Sequence, residues 1–283
     1  MLMNKFLFPI CGGLALAALA SCGAPGPAGG EITEENYLRA DSVLWAEYER
    51  DVRSVFALMD SLPDKADSLE KVYRGIYEEA SRENVELAKR FATVPSGLQR
   101  VYMVRLKEHK DTLEAVLARI PESMRESEYG KLIRWHIDTD QLKEGDACVP
   151  FECVTDSGEP FDWQAMSGRN VLLLYGGLDC MGSPGRNYLK ELLGKTDRRD
   201  LTVVVYWPVS DLEGLKRCKS AFDVDCTTVS DFKRDGSPIK VVYGSQATPT
   251  CYLIGRDGRL LVKSVGLDGE RFDAALTADG VKL

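Results

Sequence analysis

Cys180 is the residue whose type and setting point most directly to chemistry. It follows a short apolar run, Val171 to Tyr175, that reads as a strand buried on both faces, and a break at Gly176-Gly177. After it, Arg186, Tyr188, Leu189, Leu192 and Leu193 recur at helical spacing. A cysteine at such a strand-to-helix turn lies beside the first backbone N–H groups of the helix, which have no partner within it. Their partial positive charge favours a thiolate, the nucleophile of thiol–disulfide exchange. The alternative is a small apolar filler beside a core strand. Asp179 opposes the first reading, because a neighbouring carboxylate repels a thiolate.

Other catalytic chemistries lack their parts. His109 and His136 are the only histidines and both precede this region, so a Cys–His or Ser–His–Asp arrangement in the C-terminal half has no base. No Cys-x-x-Cys and no histidine pair gives a zinc-binding spacing, so no metal is expected. No cofactor motif stands out, and no carboxylate pair suggests acid–base hydrolysis. A net charge of −8 argues against a nucleic-acid partner.

The elements that must position Cys180 follow from patterning along the 283 residues. Lys5, the apolar run Phe6 to Ala20 and the small residues before Cys22 read as a signal peptide over 1–21. Residues 22–33 are a flexible tether rich in Gly, Ala and Pro. Over 34–137 apolar residues recur at helical spacing, which predicts an all-α module. Its third helix carries Leu98, Val101, Tyr102 and Leu106, and its last places His136 on an apolar stripe as a packed histidine. Pro95-Ser96-Gly97 reads as a turn. From Glu144 the pattern changes to strands and short helices. Leu201 to Trp207 is a second buried strand, and Ser210-Asp211 can cap a helix carrying Leu212, Leu215 and Cys218. The apolar segments Ile239–Val242 and Thr250–Ile254, the turn Gly255 to Gly258, a strand over Leu260 to Val265 and a last helix with Phe272 and Leu276 complete an α/β pattern with a mixed sheet.

The stretch 144–283 resembles the thioredoxin-like thiol–disulfide oxidoreductases, most closely the TlpA/ResA-type, peroxiredoxin-related lipoproteins of Bacteroidota. The resemblance rests on Glu144-Gly145-Asp146, the turn at Gly158, the strand before Cys180, Ala247-Thr248-Pro249-Thr250 and the Asp257-Gly258 hairpin. It implies a thioredoxin-like fold with a mixed central sheet flanked by helices. It also implies that Pro249 is cis and that Thr248 and Pro249 shape a peptide groove facing the Cys180 thiol. Leu-Ala-Ser-Cys similarly resembles a bacterial lipobox. That implies cleavage before Cys22, acylation of Cys22, and a lipoprotein of the cell envelope facing the periplasm at the outer membrane.

The sequence departs from the family at two positions. Asp179 stands where a tryptophan is usual, and Ser183 where the resolving cysteine is usual. A hydroxyl cannot resolve a mixed disulfide. Three readings follow. Cys180 works alone and an external thiol resolves it; or Cys251, two residues past Pro249, resolves it unless strand alternation turns it away; or the domain is a redox-inactive scaffold that holds peptides. The partners implied by the redox readings are exported thiol or disulfide proteins. Export to an oxidising compartment also allows Cys148–Cys153 and Cys218–Cys226 to close short loops as disulfides, or to remain core thiols.

Overall fold

The computed structural model describes residues 31–221, 224 and 226–283. The signal peptide, Cys22 and all of the tether before residue 31 lie outside the described residues. No helix among the described residues is long and apolar enough to cross a membrane.

The chain divides into two compact units, one ending at Ser81 and one running from Arg82 to Leu283. The first contains α1 (Glu34–Ser61) and most of α2 (Ala66–Arg90). Thr33 caps α1 by accepting a hydrogen bond from the Asn36 amide, and Glu34 and Glu35 sit in the first turn, where the helix dipole favours anions. Edge-to-face pairing of Trp45 with Tyr48 and of Tyr48 with Tyr77 lines part of this unit.

The second unit continues the helices with α3 (Pro95–Val104), α4 (Lys110–Arg119), α5 (Glu122–Arg125) and α6 (Glu128–Asp138). Pro95 opens α3 rather than marking a turn, because proline at the first helical position gives up only an N–H that is unpaired anyway. A tight 3-10 segment, Arg105–Lys107, then changes the helical phase. Arg105 is thereby fully buried and Leu106 is left exposed, the reverse of the apolar stripe expected from spacing.

The sheet elements are β1 (Val154–Thr155), β2 (Asn170–Tyr175), α7 (Gly182–Lys195), β3 (Leu201–Tyr206), α8 (Leu212–Ser220), β4 (Thr227–Ser230), α9 (Pro238–Val241), β5 (Thr250–Ile254), β6 (Leu260–Val265) and α10 (Gly269–Ala278). Strand order is β1-β4-β3-β2-β5-β6. The β4-β3-β2 core is parallel, and β1, β5 and β6 are antiparallel to their neighbours. A strand–helix–strand unit followed by a hairpin and a closing helix, on a mixed sheet, is the thioredoxin-like fold. Asp211 caps α8 by accepting from the Gly214 amide, as its position predicts. The segment Ile239–Val242 folds as α9 and its following turn, started by Ser237 and Pro238.

Alternation along the strands sends side chains to two cores. Leu172, Leu174, Val203, Val205 and Cys251 pack with Leu189 and Leu192 of α7 and Phe272 and Leu276 of α10. Leu173, Tyr175, Val204, Tyr206 and Tyr252 pack on the other face with Phe151, Ile239 and Tyr243. A third core joins Leu98, Val101 and Tyr102 of α3 to Leu113, Val116 and Leu117 of α4, Ile133 of α6 and Val241 of α9. Helices α3–α6 therefore share a core with an element of the sheet region. The division between units falls inside α2, not at the junction near residue 140 that the sequence pattern suggests.

His136 is buried, with no hydrogen-bond partner at Nδ1. Burial first, then the charges of Arg105 and Lys110, lower its pKa from 6.5 to about 4. A depressed histidine pKa means the folded state resists protonation. Its contribution is complete above pH 6.5 and is lost as pH falls towards 4, by about 3 kcal/mol in all. Urea titrations at pH 7 and pH 4 should show the wild type losing about that much more stability than His136→Phe.

Candidate active site

The Cys180 loop begins where β2 ends. Its first residues, Gly176 and Gly177, have φ of +55° and +80°, a region that side-chain-bearing residues rarely adopt. A Cβ on Gly177 would lie 2.5 Å from Pro249 N and 2.8 Å from Pro249 Cβ. The bare Gly177 backbone thus lets the loop before β5 pack directly against the loop after β2. The next turn is closed by the Met181 amide donating to the Gly177 carbonyl, 2.9 Å. Arg186 Nη1 reaches back from α7 to the Leu178 carbonyl at 3.2 Å.

Cys180 sits in this turn and is exposed, immediately before Met181, the N-cap of α7. Its amide donates to Asp179 Oδ1 at 3.1 Å, so the carboxylate is held on the backbone beside the thiol. Opposite lies the Thr248–Pro249 peptide bond, which is cis. The Thr248 hydroxyl donates to Cys180 Sγ at 3.6 Å, within the range for a sulfur acceptor. The structure therefore brings Cys180, Thr248 and Pro249 together. The hydroxyl thereby holds the sulfur in place for attack, an interaction lost with the hydroxyl. Thr248→Val should slow alkylation of Cys180 roughly fivefold, equivalent to about 1 kcal/mol, with an unchanged melting temperature. An unchanged rate would show that the contact does not act on the thiol.

Ser183, in the first turn of α7, is exposed as well. Cys251 is different. It pairs in register with Leu174, shares that residue's face of the sheet, and is fully buried in the core beneath α7 and α10. Burial pushes its thiol up to about 12. In this conformation its thiol is not presented at the surface where a mixed disulfide on Cys180 would form.

All six described cysteines are free thiols. The loops Cys148–Cys153 and Cys218–Cys226 are not closed by disulfides here; of the two alternatives, the structure shows the thiols. Burial raises Cys148 and Cys153 to about 12 and also raises Cys218 and Cys226. Cys180 is the exposed thiol among them.

Two contributors escaped the sequence reading. Gly177 signalled only a strand end, because the residue it must admit lies far along the chain. Arg105 is the other. Its guanidinium stacks on Tyr102 at 4.0 Å and donates to the carbonyls of Tyr102 at 2.9 Å, Lys240 at 2.5 Å and Ser245 at 3.5 Å, and to Gln246 Oε1 at 2.7 Å. Ser245 and Gln246 lead into Thr248-Pro249, so this buried fork anchors the base of that loop. Its position one helical turn past Tyr102 was the available signal.

No family model matches this sequence, and comparison with curated proteins finds no match. Solved structures do match. A candidate thiol:disulfide interchange protein DsbE from Chlorobium tepidum is 22% identical, with 49% of this chain covering 99% of that one at a TM-score of 0.42. A thiol-disulfide oxidoreductase from Bacteroides fragilis is 19% identical, with 47% of this chain covering 98% of that one at 0.38. A thiol peroxidase from Chromobacterium violaceum is 16% identical, with 50% of this chain covering 89% of that one at 0.39.

Proposed function

We propose that this protein carries out thiol–disulfide exchange on exported proteins, with Cys180 as its single nucleophile. One observation carries the proposal: an exposed Cys180 whose sulfur accepts the Thr248 hydroxyl, beside cis Pro249. In the proposed reaction the Cys180 thiolate attacks one sulfur of a substrate disulfide. A Cys180–substrate disulfide forms, and the other substrate sulfur leaves as a thiolate that takes a proton. With Ser183 in place of a second thiol, an external thiolate resolves the adduct. It attacks the substrate sulfur, the Cys180–substrate bond breaks with Cys180 leaving as a thiolate, and a disulfide between substrate and external thiol forms. Thr248 makes no backbone hydrogen bond among the described residues, so its peptide groups can pair with an extended substrate strand.

The leader and Cys22 support a lipid-anchored placement at the periplasmic face of the cell envelope, with the outer membrane as the proposed site. Acyl labelling of the full chain, lost in Cys22→Ala, tests that placement.

Trapping tests the activity. Envelope proteins recovered in disulfide linkage to the wild type should be absent from Cys180→Ser. Equal disulfide linkage to both would move the chemistry off Cys180. Partners held equally by both without any disulfide would favour the second reading, a redox-inactive scaffold, which the exposed serine at position 183 supports.

A further inference from the structure

Beside the Cys180 site lies a mostly apolar groove of about 520 Å³. Ala247 and Thr250, which bracket Thr248-Pro249, form one wall, and Leu142, Lys263 and Val265 form much of the rest. The groove thus continues from the place where a peptide strand would pair.

Lys263 is the unusual member. It is half-buried on β6, and its ammonium has the Leu142 carbonyl at 3.4 Å and the Tyr252 ring at 5.8 Å. Burial lowers its pKa, and no carboxylate among the described residues offsets that burial. The nearest acidic side chain in the wall, Glu144, is committed elsewhere: its Oε1 accepts from Arg271 Nη2 at 2.7 Å and from the Lys263 amide at 2.8 Å. Gly244 makes room for the ammonium. Its φ is +66°, and a Cβ there would stand 3.1 Å from Lys263 Nζ. A second cation, Lys143, stands in the same wall. An apolar trough with an unmatched ammonium complements a side chain with an aliphatic stem and an anionic tip.

We propose that this groove is a specificity subsite for a glutamate or aspartate side chain of the peptide held at Thr248-Pro249, with Lys263 as its counter-ion. The inference rests on the peptide-binding part of the proposed function and not on the thiol step.

Peptide binding at equilibrium tests it without any redox chemistry. The probes are fluorescent peptides bearing serine where a substrate would carry cysteine, with glutamate or glutamine placed at each of the three positions on either side. On the full chain, at least one glutamate peptide should bind more than fivefold tighter than its glutamine twin. The preference should shrink in high salt and vanish in Lys263→Met. That variant removes a desolvated charge and keeps the alkyl stem, so its melting temperature should not fall. Equal affinity for each glutamate and glutamine pair, a preference unchanged in Lys263→Met, or no binding by any peptide would each overturn the subsite. The cysteine versions of the same peptides, activated as mixed disulfides, report the thiol step separately. A glutamate preference without adduct formation at Cys180 would reject the exchange chemistry and leave the subsite standing.

Discussion

Gly177→Ala should lower the melting temperature by roughly 5–15 °C and slow Cys180 alkylation at least tenfold. Two effects add. A non-glycine residue at φ +80° costs about 1–2 kcal/mol. The added methyl would also stand 2.5 to 2.8 Å from three atoms of Pro249, two of them backbone, and overpacking of that kind typically costs about 1–3 kcal/mol. Each kcal/mol moves the midpoint of a unit this size by roughly 2–4 °C. Neither loop can yield alone: the Pro249 carbonyl accepts the Gly266 amide at 2.9 Å, and the Gly177 carbonyl accepts the Met181 amide at 2.9 Å. Relief of the clash therefore separates Cys180 from Thr248. Gly168→Ala is the control, since Gly168 has φ +78° but nothing within 4 Å of a Cβ. It should show only the smaller, conformational part of the destabilisation and a wild-type alkylation rate. Equal behaviour of the two variants would mean that the Gly177–Pro249 contact does not hold the site together.

Arg105→Met should destabilise the second unit by about 3 kcal/mol. Burying a guanidinium is itself unfavourable, and its pKa is lowered, first by that burial. Its removal nevertheless strips donors from the buried Lys240 and Ser245 carbonyls and from the half-buried Gln246 oxygen, while the Tyr102 carbonyl keeps the Arg105 amide. Each unmet acceptor costs about 1–3 kcal/mol, so the loss outweighs the recovered desolvation. Arg105→Lys should recover little, because an ammonium cannot present a planar fork to carbonyls on both sides. The functional readout is the base of the Thr248-Pro249 loop. Cys180 alkylation should slow in both variants at temperatures where each is fully folded. A wild-type rate in folded Arg105→Met would confine Arg105 to a packing role.

How much of this was legible in the sequence follows from which constraints are local. The runs Val171–Tyr175 and Leu201–Tyr206 announced buried strands because both faces of a central strand are covered, and every residue of the first is buried. Asp211 announced α8 because a cap acts within three residues. The strand Thr227–Ser230 gave little signal, since one valine among hydroxyl residues does not alternate. Thr248 and Pro249 could be placed opposite Cys180 only through the resemblance. What fixes their approach is the missing side chain of Gly177, a constraint that acts between residues far apart in the chain. Arg105 was missed, and Leu106 placed in the core, for a related reason: one tight turn after α3 exchanged the two, and a regular helical period cannot anticipate that change of phase. Cys251 shows the same limit from the other side. Its position two residues past Pro249 invited a role, and its register with Leu174 turns it into the core.

The central claim is that Cys180 is the reactive sulfur of this protein, and the reaction of the folded, reduced chain with a small aromatic disulfide tests it most directly. Thiolate release followed over time, with the adduct located by mass mapping, should show one fast phase at Cys180 well ahead of the five other described cysteines. Fast modification elsewhere, or a Cys180 no faster than buried Cys251, would contradict the account.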